Sequence, residues 1–407
     1  MIDATERTGS GDASDAGPIL VVAPQPFYSD RGTPIAIRHL LEALTQLGYR
    51  VDVITYPMGR SIELPGVRYY RVANPLRFKS VPIGFSLRKM FLDCFILFEL
   101  RRRLLEDEYL CVHAVEEAAF LAVLAARFSG LSVVYDMQSS LAEQMAQYRP
   151  LRNRAARWWL DRCERWLVRH ADFTVTSAGL GARARSAGRR ARVREWHYPS
   201  PVAPVDGREV DAARASLGLD REQRVVLYTG NFEEYQGLTN LIEALPCILE
   251  RVPQTVLVLV GAEHADASRA MRKRLAELTS PAAYRILERQ PREVIPGYLA
   301  LADVVVSPRV FGSNLPIKLL EYLAAGRAIV ATAIPAHRTV LDEERALLVE
   351  PTSAALGGAI LEVLENPERA RRLQHGARSF AERHLDWLTF VHSVGELFSE
   401  VRAYGRR

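Results

Sequence analysis

Apolar runs of about five residues alternate with longer amphipathic stretches along this chain, and the alternation breaks once and then starts again. The first run, Ile19–Ala23, is followed by a loop holding Pro24, Pro26, Gly32 and Pro34, an amphipathic stretch over 35–47, Gly48 as a stop, and a second run at 51–54. Runs this short and continuous predict strands buried on both faces, which belong to a parallel sheet covered by helices. Further strands are expected at 110–113, 131–135 and 173–176, with helices over 116–128 and 153–170 between them. Residues 196–207 are Pro-rich and lack any period, and the alternation then restarts with strands at 224–229, 255–260, 284–288, 304–307 and 328–331. The expected fold class is therefore α/β, with two doubly wound parallel-sheet domains in tandem.

The domain reading is an acidic tail over 1–17, a first Rossmann-like domain over 18–198, a linker at 199–207 and a second Rossmann-like domain over 208–378. A charged helical stretch, 379–407, is expected to cross back to the first domain. Composition narrows the class further. With 48% hydrophobic and 25% charged residues, a chain of 407 residues can build packed cores and is neither disordered nor collagenous. Four dispersed cysteines, Cys94, Cys111, Cys163 and Cys247, argue against a disulfide framework or a zinc site and for a reducing, cytoplasmic setting. The tail carries Asp3, Glu6, Asp12 and Asp15 rather than a basic-then-apolar leader, and no run of about 18 apolar residues predicts a membrane span. A net charge of +5 favours anionic partners.

In open parallel sheets the ligand lies beyond the carboxyl ends of the strands, so the chemistry is sought in those loops, on either side of an expected cleft. After the first strand, Gly32 precedes a helix whose first amides could face an anion, or it simply permits a turn. The second half repeats the device at Gly230 and Asn231. The most informative segment runs from Ser307 to Thr332: a strand end, a polar loop with Arg309, Gly312, Ser313 and Asn314, a helix starting near Pro316, and another strand. Lys318 and Glu321 are three apart and share one helix face. An ammonium there suits phosphates, and a carboxylate one turn on suits paired ribose hydroxyls; a surface ion pair is the alternative. The chain has only four lysines against 49 arginines, which makes a compact ammonium at this place a further hint.

These residues resemble the donor-site signature of the glycosyltransferase family 4 enzymes of GT-B fold, in a branch with a Pro-x-Lys-x-x-Glu-Tyr pattern matched by Pro316, Lys318, Glu321 and Tyr322. The stretch from Pro26 to Gly32, the block from Tyr228 to Gly237, and Ala302-Asp303-Val304 carry the same resemblance. It implies that Glu321 binds the ribose of a nucleotide diphosphate sugar and that transfer proceeds with retention and without a metal or other cofactor. Two departures stand out: Ser313 sits where many members have a first Glu, and Asn231 and Gln236 sit where many have Arg and Lys. The diphosphate is therefore assigned to Lys318, with Arg309 as a second candidate. Backbone near Arg289 and Gln290 is expected to read the nucleobase.

In the first half, His113 and Glu116 match a His-x-His-Glu pattern of relatives in which the second His is here Val115. His113, Glu117 and Asp136 are the candidates for acceptor binding or proton transfer, against the alternative of polar groups satisfied at strand ends. Basic and aromatic residues interleave around 77–103 and 152–169, as a contact with an anionic membrane surface or a polyprenyl-linked acceptor would require, or as solvated helix faces do. No recognition motif for nucleic acid accompanies them. The reading is a glycosyltransferase moving a sugar from a nucleotide diphosphate sugar to a glycan or lipid-linked acceptor, in exopolysaccharide or cell-envelope synthesis, at the inner face of the cytoplasmic membrane. A nucleotide-sugar isomerase or epimerase of the same architecture, and a catalytically silent partner subunit, are the rivals.

Overall fold

Every strand expected from the apolar runs forms, and both halves wind their sheets in the same order. The computed structural model describes residues 17–29, 32–82, 86–126, 129–141, 153–188, 192–200, 205–262, 265–312 and 315–405. The chain divides into two units, one running to Tyr198 and taking back Leu388–Arg407, the other Pro199–Trp387. The first unit holds β1 (Ile19–Ala23), β2 (Val51–Thr55), β3 (Val67–Arg71), β4 (Cys111–Val115), β5 (Ser132–Met137), β6 (Phe173–Ser177) and β7 (Val193–Trp196). Their spatial order is β3-β2-β1-β4-β5-β6-β7, with every pairing parallel. The second holds β8 (Arg224–Thr229), β9 (Thr255–Ala262), β10 (Tyr284–Glu288), β11 (Val304–Ser307), β12 (Ala328–Thr332) and β13 (Ala346–Val349) in the order β10-β9-β8-β11-β12-β13, again all parallel. Each sheet reverses its direction of growth beside its first strand, between β1 and β4 and between β8 and β11. That switch point is where such sheets hold ligands.

The same device sets register in both sheets. Asp172, one residue before β6, accepts the Val133 N–H of β5 at 2.9 Å, and its own amide donates to the Val133 carbonyl. Asp303, one residue before β11, accepts the Val225 N–H of β8 at 2.8 Å and returns the bond in the same way. The Asp of the Ala302-Asp303-Val304 motif is thus a strand clasp that fixes where β11, and the loop that follows it, ends up.

The sequence reading passes over β3, β7 and β13, all at sheet edges. β3 is Val-Arg-Tyr-Tyr-Arg and only half-buried, because an edge strand faces solvent and carries no continuous apolar run. The helix Leu87–Glu106 lies in the first basic-aromatic stretch; it starts at Ser86, whose side chain accepts the Lys89 N–H, and buries Leu92, Ile96, Leu100 and Arg103. The expected crossing stretch 379–407 is two pieces. Pro367–His384 stays with the second unit, and Leu385–Asp386 separate it from the helix Trp387–Gly405. That last helix buries Phe390, Val394, Leu397, Phe398 and Val401. Phe398 lies 6.0 Å from the rings of both Tyr49 and His113, Phe390 lies 5.7 Å from Trp196, and Arg194 pairs with Glu396 and Glu400.

Candidate active site

In the second unit the switch point is built from the β8 end, the β11 end and the helix Ile317–Ala324. Tyr322, fully buried on that helix, accepts the Thr229 N–H at 2.9 Å and the Thr229 hydroxyl at 3.1 Å. The helix is thereby fixed to the last residue of β8, and the backbone turns at once into Gly230. There φ is +133°, and a Cβ would stand 3.2 Å from the Lys318 Nζ and 3.0 Å from the Tyr228 hydroxyl. A glycine at this position lets the lysine reach the strand end.

Lys318 is held from two sides. Its ammonium donates to Gln236 Oε1 at 2.9 Å and sits 4.0 Å from the centroid of the Tyr228 ring. Gln236 in turn donates to Asn231 Oδ1 at 3.0 Å, and the Asn231 amide donates to the Tyr235 hydroxyl at 3.4 Å. Asn231 and Gln236 thus form a neutral relay that orients the Lys318 cation. Burial, with the Arg309 charge adding to it, pushes the Lys318 ammonium well below the lysine range, and Glu321 opposes them. An anion arriving here meets a donor that is poorly solvated in its charged form and gains by pairing.

One turn along, Glu321 accepts from Arg292 Nη2 at 2.9 Å through Oε1. Burial pushes its carboxyl up, and Arg292 and then Lys318 hold it down. Arg309 donates Nε–H to the Phe311 carbonyl at 2.8 Å, with its guanidinium 5.1 Å from the Tyr235 ring centroid; it is buried beside Gly312, whose φ of +129° brings the backbone against it. Gln290 donates to the Glu288 carbonyl at 3.1 Å, so it and Arg289 lie just past the end of β10. Ser313 and Asn314 lie outside the described residues. The structure thus brings Gly230, Asn231, Gln236, Lys318 and Glu321 together, and adds Arg292, which the sequence reading did not name. Its only sequence signal was its place next to the expected base-reading loop.

The first-unit candidates are redistributed. Gly32 opens the helix Gly32–Gln46 and is exposed. His113 and Asp136 do meet, at 3.1 Å, but on strands β4 and β5 with 0% and 1% of their side chains exposed. The His113 ring is parallel to Trp196 and packed by Phe398. Groups so enclosed cannot touch an acceptor, and the pair is corrected here to a core hydrogen bond. Glu117 pairs instead with Lys89, and Glu116, in the left-handed region at φ +51°, accepts from Ser139 at 3.0 Å. Burial and the neighbouring Glu117 charge push Glu116 up to about 7. Lys89 and Arg103 are drawn inward, Arg103 under the Tyr70 ring, so the first basic-aromatic stretch is partly structural. The helix Arg154–His170 differs: Trp158 and Trp159 are 62% and 60% exposed, with the Arg162 guanidinium 5.0 Å from the Trp158 ring centroid. Among the described residues no helix is long and apolar enough to cross a membrane.

Comparison with known proteins fits both halves. Residues 31–199 match the family model "Glycosyl transferase 4-like domain", and residues 209–380 match "Glycosyl transferases group 1". The chain is 31% identical over 212 residues to phosphatidyl-myo-inositol mannosyltransferase of Mycobacterium tuberculosis, a match covering 50% of this chain and 54% of that protein. It is thus aligned to about half the length of that relative. The Mycobacterium leprae protein of the same name is 23% identical, with 96% of this chain and 98% of that one aligned. Among solved structures, sucrose-phosphate synthase from Thermosynechococcus elongatus superposes with a TM-score of 0.77 at 21% identity, over 95% of this chain and all of that one. Anabaena HepE in complex with UDP-glucose superposes with a TM-score of 0.71 at 14% identity, over 94% of this chain and all of that one. These likenesses show the fold, two Rossmann-like domains of the GT-B class.

Proposed function

We infer that this chain, a glycosyl transferase 4-like domain followed by a glycosyl transferases group 1 domain, is a glycosyltransferase that takes its sugar from a nucleotide diphosphate sugar. The observation that carries the reading is the seat of Lys318: an ammonium fixed by Gln236 and Tyr228 at the switch point, against a glycine, with a carboxylate one helical turn away. Lys318 meets the diphosphate and stabilises it as it leaves, which is where charge grows in the transition state of glycosyl transfer. This lysine supplies the neutralisation without a metal, and retention of configuration follows the family resemblance. Glu321 takes the ribose hydroxyls.

The acceptor is a glycan or a lipid-linked molecule, and a lipid acceptor is supported by analogy with the relatives named phosphatidyl-myo-inositol mannosyltransferase. The exposed Trp158 and Trp159, among Arg154, Arg157, Arg162 and Arg165, support a peripheral contact with an anionic membrane surface on which such acceptors reside. The test is a calorimetric titration of UDP, GDP, ADP and their sugar conjugates against the protein and its Glu321→Ala variant. One nucleotide should bind, and the variant should weaken it roughly tenfold to a hundredfold, the scale of a hydrogen bond to a charged group. Equal affinity in both would sink the ribose assignment.

A further inference from the structure

The Arg292–Glu321 pair joins two elements that sequence places 29 residues apart. Arg292 begins a short 3-10 turn, Arg292–Val294, which follows the end of β10 and its Arg289-Gln290 loop. Glu321 sits on a helix that Tyr322 already ties to Thr229. One end of the glutamate is therefore fixed by its backbone. The other end, free to turn about three bonds in an unrestrained glutamate, is fixed by the Arg292 bond to Oε1. The carboxylate keeps Oε2 as an acceptor.

We propose that Arg292 is a positioning residue of the donor site: it holds the Glu321 carboxylate in one orientation and in its charged form, so that this group can discriminate a ribose diol from a deoxyribose. The inference rests on the donor-site reading above. The charged and titratable groups facing Glu321 are Arg292, Lys318 and the Tyr322 phenol. Of these Lys318 is committed to Gln236 and the Tyr322 hydroxyl to Thr229, so the guanidinium is the group that makes a direct bond to the acid. Burial alone drives such a carboxyl toward its neutral form, which is a weaker acceptor for two hydroxyls. A preset orientation also removes the cost of ordering the side chain when the ligand arrives. The rival role for the same pair is a plug, in which Arg292 occupies the acid and the ribose must displace it.

The nucleoside diphosphate that binds, its 2′-deoxy counterpart and its monophosphate are titrated against the wild type, Arg292→Gln, Arg292→Lys and Glu321→Gln, near pH 6 and near pH 8.5. The wild type should prefer the ribonucleotide by about tenfold, the scale of a charge-assisted hydrogen bond. Arg292→Gln should lose most of that preference near pH 6 and recover part of it near pH 8.5, as Glu321 ionises unaided. Arg292→Lys should retain it, and the loss on removing the β-phosphate should be the same in all four proteins. A wild-type preference at both pH values in Arg292→Gln, or tighter nucleotide binding by that variant, overturns the proposal; the second result would mark Arg292 as a plug. A full ribose preference in Glu321→Gln, or no nucleotide bound by the wild type, would bring down the donor-site reading itself and this inference with it.

Discussion

Lys318 shows how one residue's environment sets its chemistry. A lysine in water is charged at any physiological pH, but here burial and the Arg309 charge shift the balance toward the neutral amine. A bound diphosphate reverses the shift, so binding takes up a proton. Nucleoside diphosphate affinity should therefore decline as pH rises through the depressed lysine pKa, and it should do so less for a nucleoside monophosphate. In Lys318→Ala the diphosphate should lose its advantage over the monophosphate, and the pH slope should flatten. Titration calorimetry across that range reads both effects. An unchanged slope in the variant would show that the proton goes elsewhere. Gln236 belongs to the same argument: as a neutral acceptor it orients the ammonium without competing with an anion for it, which a carboxylate at that position would do.

At the scale of elements, strand ends and turns carry the constraints. Gly237 follows the 3-10 turn Glu234–Gln236 at φ +69°, and a Cβ there would stand 2.1 Å from the Pro308 carbonyl oxygen at the end of β11. Gly237→Ala should cost about 2 kcal/mol or more in stability, from the left-handed backbone together with the clash, read as a lower denaturant midpoint. In the first unit, the Tyr56 hydroxyl donates to Asp93 at 2.6 Å, beside Lys89 and Glu117. Burial pushes Asp93 up to about 6, and Glu116 stands at about 7. Carboxyls raised in the folded state favour folding while protonated, so this contribution is present below the ordinary carboxylate range and is lost as pH rises through about 6 to 7. Asp93→Asn and Glu116→Gln should each flatten the fall in first-unit stability between pH 5 and pH 8, measured by denaturant unfolding at each pH; a fall of wild-type steepness in both would show that other groups titrate there. These elements also show what the sequence made legible. Central strands such as Val21-Val22 and Val304-Val305-Val306 are continuous apolar runs because both faces are covered, and they could be read directly. The edge strands β3 and β7 could not, since solvent on one side replaces the apolar run with Arg68, Arg71 and Arg194. Lys318 and Glu321 were legible because one helix face joins them. Arg292 was not, because its pairing is made in space, across 29 residues of chain, between the turn after β10 and the Ile317–Ala324 helix. His113 was misread because a histidine at a strand end has the same sequence signature whether it faces a ligand or, as here, Trp196 and Phe398.

For the whole molecule, the chain order and the unit order differ: the last helix belongs to the first unit. Its Phe398 is fully buried between Tyr49 and His113, and Leu397, Val394 and Val401 are equally enclosed. Removing such an aromatic ring leaves a cavity and should cost about 3–5 kcal/mol. The cost falls on the first unit, whose core the ring completes. Four of the five tryptophans, Trp158, Trp159, Trp166 and Trp196, lie in that unit, so tryptophan fluorescence during denaturation reports it almost alone. In Phe398→Ala that signal should move to a lower denaturant concentration. Nucleotide raises the stability of whichever unit binds it by an amount set by its concentration over Kd, and Gly230, Asn231, Gln236, Lys318 and Glu321 all lie in Pro199–Trp387. The variant should therefore keep its nucleotide affinity under native conditions, and nucleotide should not restore the shifted fluorescence transition. If nucleotide did restore it, the two units would be sharing one unfolding transition, and the last helix would be coupling donor binding to the stability of the first unit.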